Sequence, residues 1–316
     1  MAKISRTVRE IINTVIFLLI VGLLLTFYAF YPLNKTKATM GRPDIDNYDQ
    51  DSILMNDPAA FVEAGFNFGD NTTGLPICDT FWVESDGLTT LACLYLVPQV
   101  DSSLSLKGTV ALLHDDGSTR DSLVTLARQF TDNGYEVIVY DQRASGRSTG
   151  IYRGDGQYET NDLQEIIRYL DLRGKIVHPF IVAGYSLGAD AAILCANEES
   201  RIDGVIAINP YLSSTRLLDH LKEKHNLLWF PLYRTMMWWW YGIRSSYAAP
   251  YREIEDIKPA ACKTLLIIDP AYANNDEIVK FKELSDPKLL EIKTEAISDE
   301  TILSEIQKFC RGEAFH

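Results

Sequence analysis

Pro179-Phe180-Ile181-Val182-Ala183-Gly184-Tyr185-Ser186-Leu187-Gly188-Ala189-Asp190-Ala191-Ala192 is the stretch that decides the fold. An apolar run of strand type ends in Gly-x-Ser-x-Gly, and a run of small helix-forming residues follows at once. That order predicts a nucleophile elbow, a strand-to-helix turn that lifts a serine hydroxyl above the end of a sheet. The turn is so tight that side chains at Gly184 and Gly188 would meet neighbouring backbone. Ser186 then sits at the positive end of the following helix. The Leu187 N–H points to where a carbonyl oxygen gains charge during acyl transfer. The five-residue motif alone is weak; a strand before it and a helix after it make it specific.

Working outward, continuous apolar strands are expected at residues 106–113, 135–140, 204–208 and 263–269. Helices are expected at 121–133, where Gly134 follows as a C-cap would, and at 163–172. Residues 80–84 and 91–97 read as two strands joined through Ser85-Asp86-Gly87, a hairpin turn signal. Strands that alternate with helices, and are apolar throughout rather than at every second position, indicate a mostly parallel sheet covered on both faces.

The 316 residues are 47% hydrophobic and 23% charged, a globular composition with room for one sizeable core. A net charge of −13 argues against nucleic acid and against an anionic membrane surface as partners. Of the five cysteines, Cys78, Cys93, Cys195, Cys262 and Cys310, none forms a C-x-x-C, so neither a metal nor a cofactor is expected. A hairpin turning at Ser85-Asp86 sets Cys78 and Cys93 roughly opposite each other, as a disulfide or as two buried thiols.

Residues 1–10 form a short tail, and residues 11–31, IINTVIFLLIVGLLLTFYAFY, are uncharged and read as a transmembrane anchor. Their 21 residues at 1.5 Å each cross a hydrocarbon core of about 30 Å. Phe27, Tyr28, Phe30 and Tyr31 gather where an interfacial belt would lie. The competing reading is a signal peptide, which has a shorter apolar region and a small-x-small cleavage site. Three basic residues precede the span (Lys3, Arg6, Arg9) and three follow it (Lys35, Lys37, Arg42), so charge does not set the orientation. The short tail favours an inside N-terminus and an extracytoplasmic domain, making a single-pass membrane protein. Residues 32–76 are polar and rich in Asp, Asn, Gly and Pro, a membrane-proximal connector with sequons at Asn34 and Asn71.

Three blocks now stand in order: Leu112-Leu113-His114-Asp115-Asp116-Gly117-Ser118, Tyr140-Asp141-Gln142-Arg143-Ala144-Ser145-Gly146-Arg147-Ser148, and the elbow. They resemble the H-G-x-G-G-S loop, the D-x-R-G-H-G-x-S loop and the nucleophile motif of the α/β-hydrolase fold. Within that superfamily the chain is most similar to membrane-anchored hydrolases of the serine aminopeptidase and dienelactone hydrolase type. The likeness spans residues 77–312, within a domain at 77–316. It implies a mostly parallel twisted sheet with helices on both faces and a helical cap, here about 212–257. It further implies Ser186 as nucleophile and the Leu187 and Asp116 N–H groups as oxyanion hole. Asp276 is the implied acid, with Asp269 as the alternative.

Two departures from the family pattern stand out. The loop after the last strand, residues 293–300, carries no histidine, and Ile297 occupies about the place of the general base. Asp115 replaces a glycine of the oxyanion loop, where carboxylates would repel a developing negative charge. His114 belongs to that loop, where such a histidine is normally structural. His178 lies at the wrong end of the elbow strand. His220 and His225 belong to the cap and His316 to the tail. The cap also carries nine aromatic or methionine residues at 229–241, suited to lining a pocket, packing the cap or touching the bilayer.

Two functions follow from these features. One is a serine hydrolase acting on an ester, thioester or amide of a small molecule or peptide. The other is a catalytically impaired descendant that binds a ligand or protein through the same pocket. In either case the full chain is expected in the membrane pellet after carbonate washing, and a chain starting at Asn34 in the supernatant. A mature protein found soluble and shortened at its N-terminus would mean a cleaved signal instead.

Overall fold

The computed structural model describes residues 6–30, 63, 65–66, 77–87, 89–98, 106–115, 117–150, 153–224, 235–236, 252–273 and 275–311. Eight strands form one sheet: β1 (Ile77–Glu84), β2 (Thr90–Val97), β3 (Thr109–Leu113), β4 (Glu136–Tyr140), β5 (Phe180–Tyr185), β6 (Gly204–Ile208), β7 (Lys263–Ile268) and β8 (Leu290–Thr294). Their order across the sheet is β1-β2-β4-β3-β5-β6-β7-β8. β1, β2 and β4 pair antiparallel, and every contact from β4 through β3 to β8 is parallel.

Seven α-helices are described: α1 (Arg6–Phe30), α2 (Val124–Asp132), α3 (Gln157–Asp171), α4 (Leu187–Ala196), α5 (Ser214–Lys224), α6 (Asp276–Leu284) and α7 (Asp299–Cys310). α1 is apolar, exposed over residues 6–20, and long enough to cross a membrane.

The apolar strands are apolar throughout because both faces are covered. Alternate residues of β4 go to opposite cores. Ile138 and Tyr140 pack with α3, α4 and α6 through Ile166, Ala192 and Phe281. Val137 and Val139 pack with α2 and α7 through Phe130 and Ile306. The first turn of α3 is more polar than a core-facing helix would suggest. Its Glu159 accepts the Gly154 and Gly156 N–H groups at 2.7 and 3.1 Å. Asp162 holds the Arg143 guanidinium through two bonds of 2.7 and 2.6 Å. These buried partnerships are why the helix begins six residues before its apolar periodicity does.

Asp141, at the end of β4, organises the second sequence block. Its carboxylate accepts the Arg120 N–H at 2.9 Å and the Arg147 N–H at 3.0 Å. Gly146 passes over it with φ 48°, and a Cβ there would lie 2.3 Å from the carboxyl carbon. The hairpin turns where expected, but its register pairs Cys93 with Phe81 and Cys78 with Leu96. The two thiols therefore face opposite cores, both buried and neither in a disulfide. A disulfide between them is excluded.

The elbow is built as its glycines require. A Cβ on Gly184 would stand 2.3 Å from the Gly188 carbonyl oxygen, and one on Gly188 2.7 Å from that of His114. Gly184→Val and Gly188→Val should each cost several kcal/mol or abolish folding, since backbone rather than a movable side chain is in the way. Ser186→Ala should remain within about 1 kcal/mol of the parent in chemical denaturation.

Candidate active site

Ser186 joins β5 to α4 with φ 49° and ψ −111°, a left-handed conformation that a non-glycine residue adopts only when its surroundings impose it. The Ser186 N–H donates to the Ile208 carbonyl at 2.8 Å, tying the turn to the end of β6. Leu187 follows as the first residue of α4, so its N–H is one of the donors a helix leaves without an intrahelical partner. Ser186 opens into a cavity of about 90 Å³ whose described walls include Asn209, Tyr211, Arg216, His220 and Tyr272.

Asn209 is itself left-handed, φ 48°; its N–H donates to Ile267 O at 3.0 Å and its Oδ1 accepts Asp269 N–H at 2.8 Å. It thereby ties together the ends of β6 and β7 beside the serine. Arg216 and His220 stand one turn apart on α5, and both line the cavity. Tyr211 packs on the His220 ring with centroids 5.5 Å apart.

The histidines take distinct places. His114 is buried and consumed by structure. Its Nδ1–H donates to Asp115 O at 2.7 Å while its Nε2 accepts the Gln142 N–H at 2.9 Å, which fixes the neutral ring. His178 pairs with Asp203 at the opposite end of β5. Ile297 packs half-buried on the α2/α7 core, as does Tyr185 beside the serine. His220 shares the cavity with Ser186. His225, His316 and Asp116, with nearly all of the aromatic run at 229–241, lie outside the described residues.

Ser186 and the Leu187 N–H are thus together. Asp276 is exposed in the first turn of α6 and does not line the cavity. Asp269 is half-buried and turned to its own loop, its Oδ1 accepting the Ala271 N–H at 2.9 Å. Sequence reasoning missed Asn209, Arg216 and Tyr272. Arg216 and His220 at i and i+4 of an amphipathic helix were the available signal. Asn209 and Tyr272 lie in loops after β6 and β7, and only the sheet order brings those loops to Ser186.

Residues 105–269 match the sequence profile of the serine aminopeptidase S33 family. The chain belongs to that family. A thiohydrolase of Arthrinium phaeospermum, apmlB, is 35% identical over 89 residues, which are 27% of this chain and 29% of that one. The lysophosphatidylserine lipase ABHD12 of Bos taurus is 24% identical over 180 residues, 55% of this chain and 42% of that one. The chain thus spans less than half the length of these curated relatives.

Among solved structures, the Pyrococcus furiosus esterase Pf2001 superposes with a TM-score of 0.54 at 20% identity, covering 75% of this chain and 90% of that one. The α/β hydrolase GrgF of Penicillium sp. sh18 gives 0.52 at 14% identity, covering 74% and 98%. The fold of this S33 member is the α/β-hydrolase fold.

Behind the elbow the S33 scaffold carries a buried polar cluster. Asp190, in the first turn of α4, accepts the Leu212 N–H at 2.7 Å and stands 3.8 Å from the Arg252 guanidinium. Its other oxygen makes no hydrogen bond among the described residues. Arg252 also reaches Leu212 O at 3.1 Å and the Asp155 carboxylate at 3.5 Å, so α4, the start of the cap and the chain ahead of α3 meet at one guanidinium.

Burial pushes the Asp190 carboxyl up from 3.8 to about 7, although Arg252 and the Leu212 N–H pull it down. A folded pKa above the unfolded one means that the folded protein holds the proton more tightly. The stabilisation is therefore full below about pH 4 and is lost as pH rises through about 7. Asp190→Asn keeps the acceptor for Leu212 and removes the titration. Its stability should match the parent near pH 4 and exceed it near pH 8 by a few kcal/mol, at about 1.4 kcal/mol per unit. Denaturation at both pH values is the measurement, and equal differences at the two would contradict it.

Proposed function

We propose that the chain is a membrane-tethered serine hydrolase that cleaves an ester, thioester or amide by acyl transfer, with Ser186 as the nucleophile. The observation that carries this is the left-handed backbone of Ser186 at the mouth of a cavity. The turn imposes that conformation at a cost of order 1–3 kcal/mol, and a glycine at the same position would avoid the cost where the chain instead carries a serine. Membership of the S33 family and the ester and thioester chemistry in the relatives' names support the reaction class. The apolar α1 supports the tether, with the hydrolase domain extracytoplasmic.

In this reading the Ser186 oxygen bonds to the substrate carbonyl carbon while its proton passes to the His220 ring. The new oxyanion is met by the Leu187 N–H. Collapse expels the leaving group, which takes the proton from His220, and water attacks the acyl-enzyme with the same ring as base. Supporting His220 in this role is its place in the Ser186 cavity, where no other described histidine lies. The Asp276 carboxylate, implied as the acid, stands outside that cavity and would need the cap to move.

The alternative is a binding protein of the same family, favoured by Ile297 in the region of the usual base. A fluorophosphonate probe on the full chain in detergent separates the two. Labelling should be abolished by Ser186→Ala and slowed about 100-fold or more by His220→Ala, with partial rescue by added imidazole. A parent protein that does not label supports the binding reading, and equal labelling of His220→Ala removes His220 as the base.

A further inference from the structure

The described walls of the Ser186 cavity are basic, in a strongly acidic chain. The whole sequence has 43 acidic against 30 basic side chains. No aspartate or glutamate is among the described cavity walls, which instead hold Arg216 and His220. The positive end of α4 opens beneath the same space.

Arg216 is poorly matched inside the protein. Its side chain is only 17% exposed, and its one ion-pair partner among the described residues is Glu223 at 4.0 Å, itself 53% exposed. Its guanidinium lies over the Tyr272 ring at 5.5 Å, which orients it along the cavity wall. A half-buried guanidinium on the cavity wall, with one distant and solvated counter-charge among the described residues, can be approached there by an anion. The volume of about 90 Å³ is below the 150 Å³ of an engineered cavity that holds benzene, so it fits a group of a few heavy atoms.

We infer that the cavity takes a ligand carrying a small anionic oxygen group, a carboxylate or a phosphate, held by the Arg216 guanidinium beside Ser186. Carboxylate and phosphate both match the planar fork of arginine, which can hold them through two parallel hydrogen bonds where an ammonium acts as a point charge. That the ligand is a substrate rests on the hydrolase reading; that the site selects an anion does not.

The test is binding to the full chain in detergent at constant ionic strength. Glutarate, methyl phosphate and neutral glutaramide are compared by calorimetry and thermal unfolding, in the parent and in Ser186→Ala. A saturable rise in Tm with one or both anions and none with glutaramide is expected, since a ligand bound only to the folded state stabilises it. Arg216→Gln should weaken the anion at least about tenfold. Arg216→Lys, which keeps the charge but loses the fork, should fall between.

The two anions separate a carboxylate from a phosphate ligand. An unchanged affinity in Arg216→Gln, an equal response to glutaramide, or no response to either anion overturns the inference. If Arg216→Gln loses cooperative unfolding, Arg216→Lys decides: weaker glutarate or methyl phosphate binding in a folded protein supports the inference, and unaltered binding overturns it. Anion binding through Arg216 in a protein whose Ser186 does not label would leave this inference standing and remove the hydrolase reading.

Discussion

The close approach of three pieces of backbone at the end of the parallel sheet is the constraint from which the rest follows. β5, the first turn of α4 and the end of β3 come together with no room for a Cβ at Gly184 or Gly188. Because the chain reverses within so few atoms, Ser186 is driven into a left-handed conformation and anchored to Ile208. Exposure of its hydroxyl to the cavity is thus a consequence of backbone packing as much as of chemistry. The glycines are required for the fold, and the serine is the residue left with freedom to act.

Around that turn, buried charges do the joining that apolar contacts do elsewhere. Asp141 gathers the N–H groups of Arg120 and Arg147, and Asp162 holds Arg143 through two bonds. Asp190 and Asp155 meet at Arg252. Asp141 and Asp190 also accept backbone N–H groups that would otherwise be buried without partners. Such clusters specify geometry more than they add stability.

The same frame shows how the site departs from its family. Ile297, in the loop after β8 where the sequence pattern leads one to expect a histidine, packs on the α2/α7 core. Meanwhile α5 brings Arg216 and His220 to the wall of the serine's cavity. The basic side chains on the described wall of this cavity therefore come from α5 rather than from the loop after β8.

The sequence determined the sheet, because strands buried on both faces must be apolar throughout, and it determined the elbow, because only glycine tolerates that approach. It also determined that α1 is long and apolar enough to cross a membrane. The start of α3 was not legible, since its first turn is polar and becomes buried only through partners distant in the chain. Nor was the register that sends Cys78 and Cys93 to opposite faces, because a hairpin turn read from sequence leaves its pairing open. Which residues share space with Ser186 was decided by tertiary structure alone. Asn209, Arg216, His220 and Tyr272 are separated by up to 86 positions from the serine, and the order β5-β6-β7 together with the return of α5 brings them to one cavity. Local periodicity cannot encode such proximity, because it depends on how strands are ordered and not on what any one segment contains.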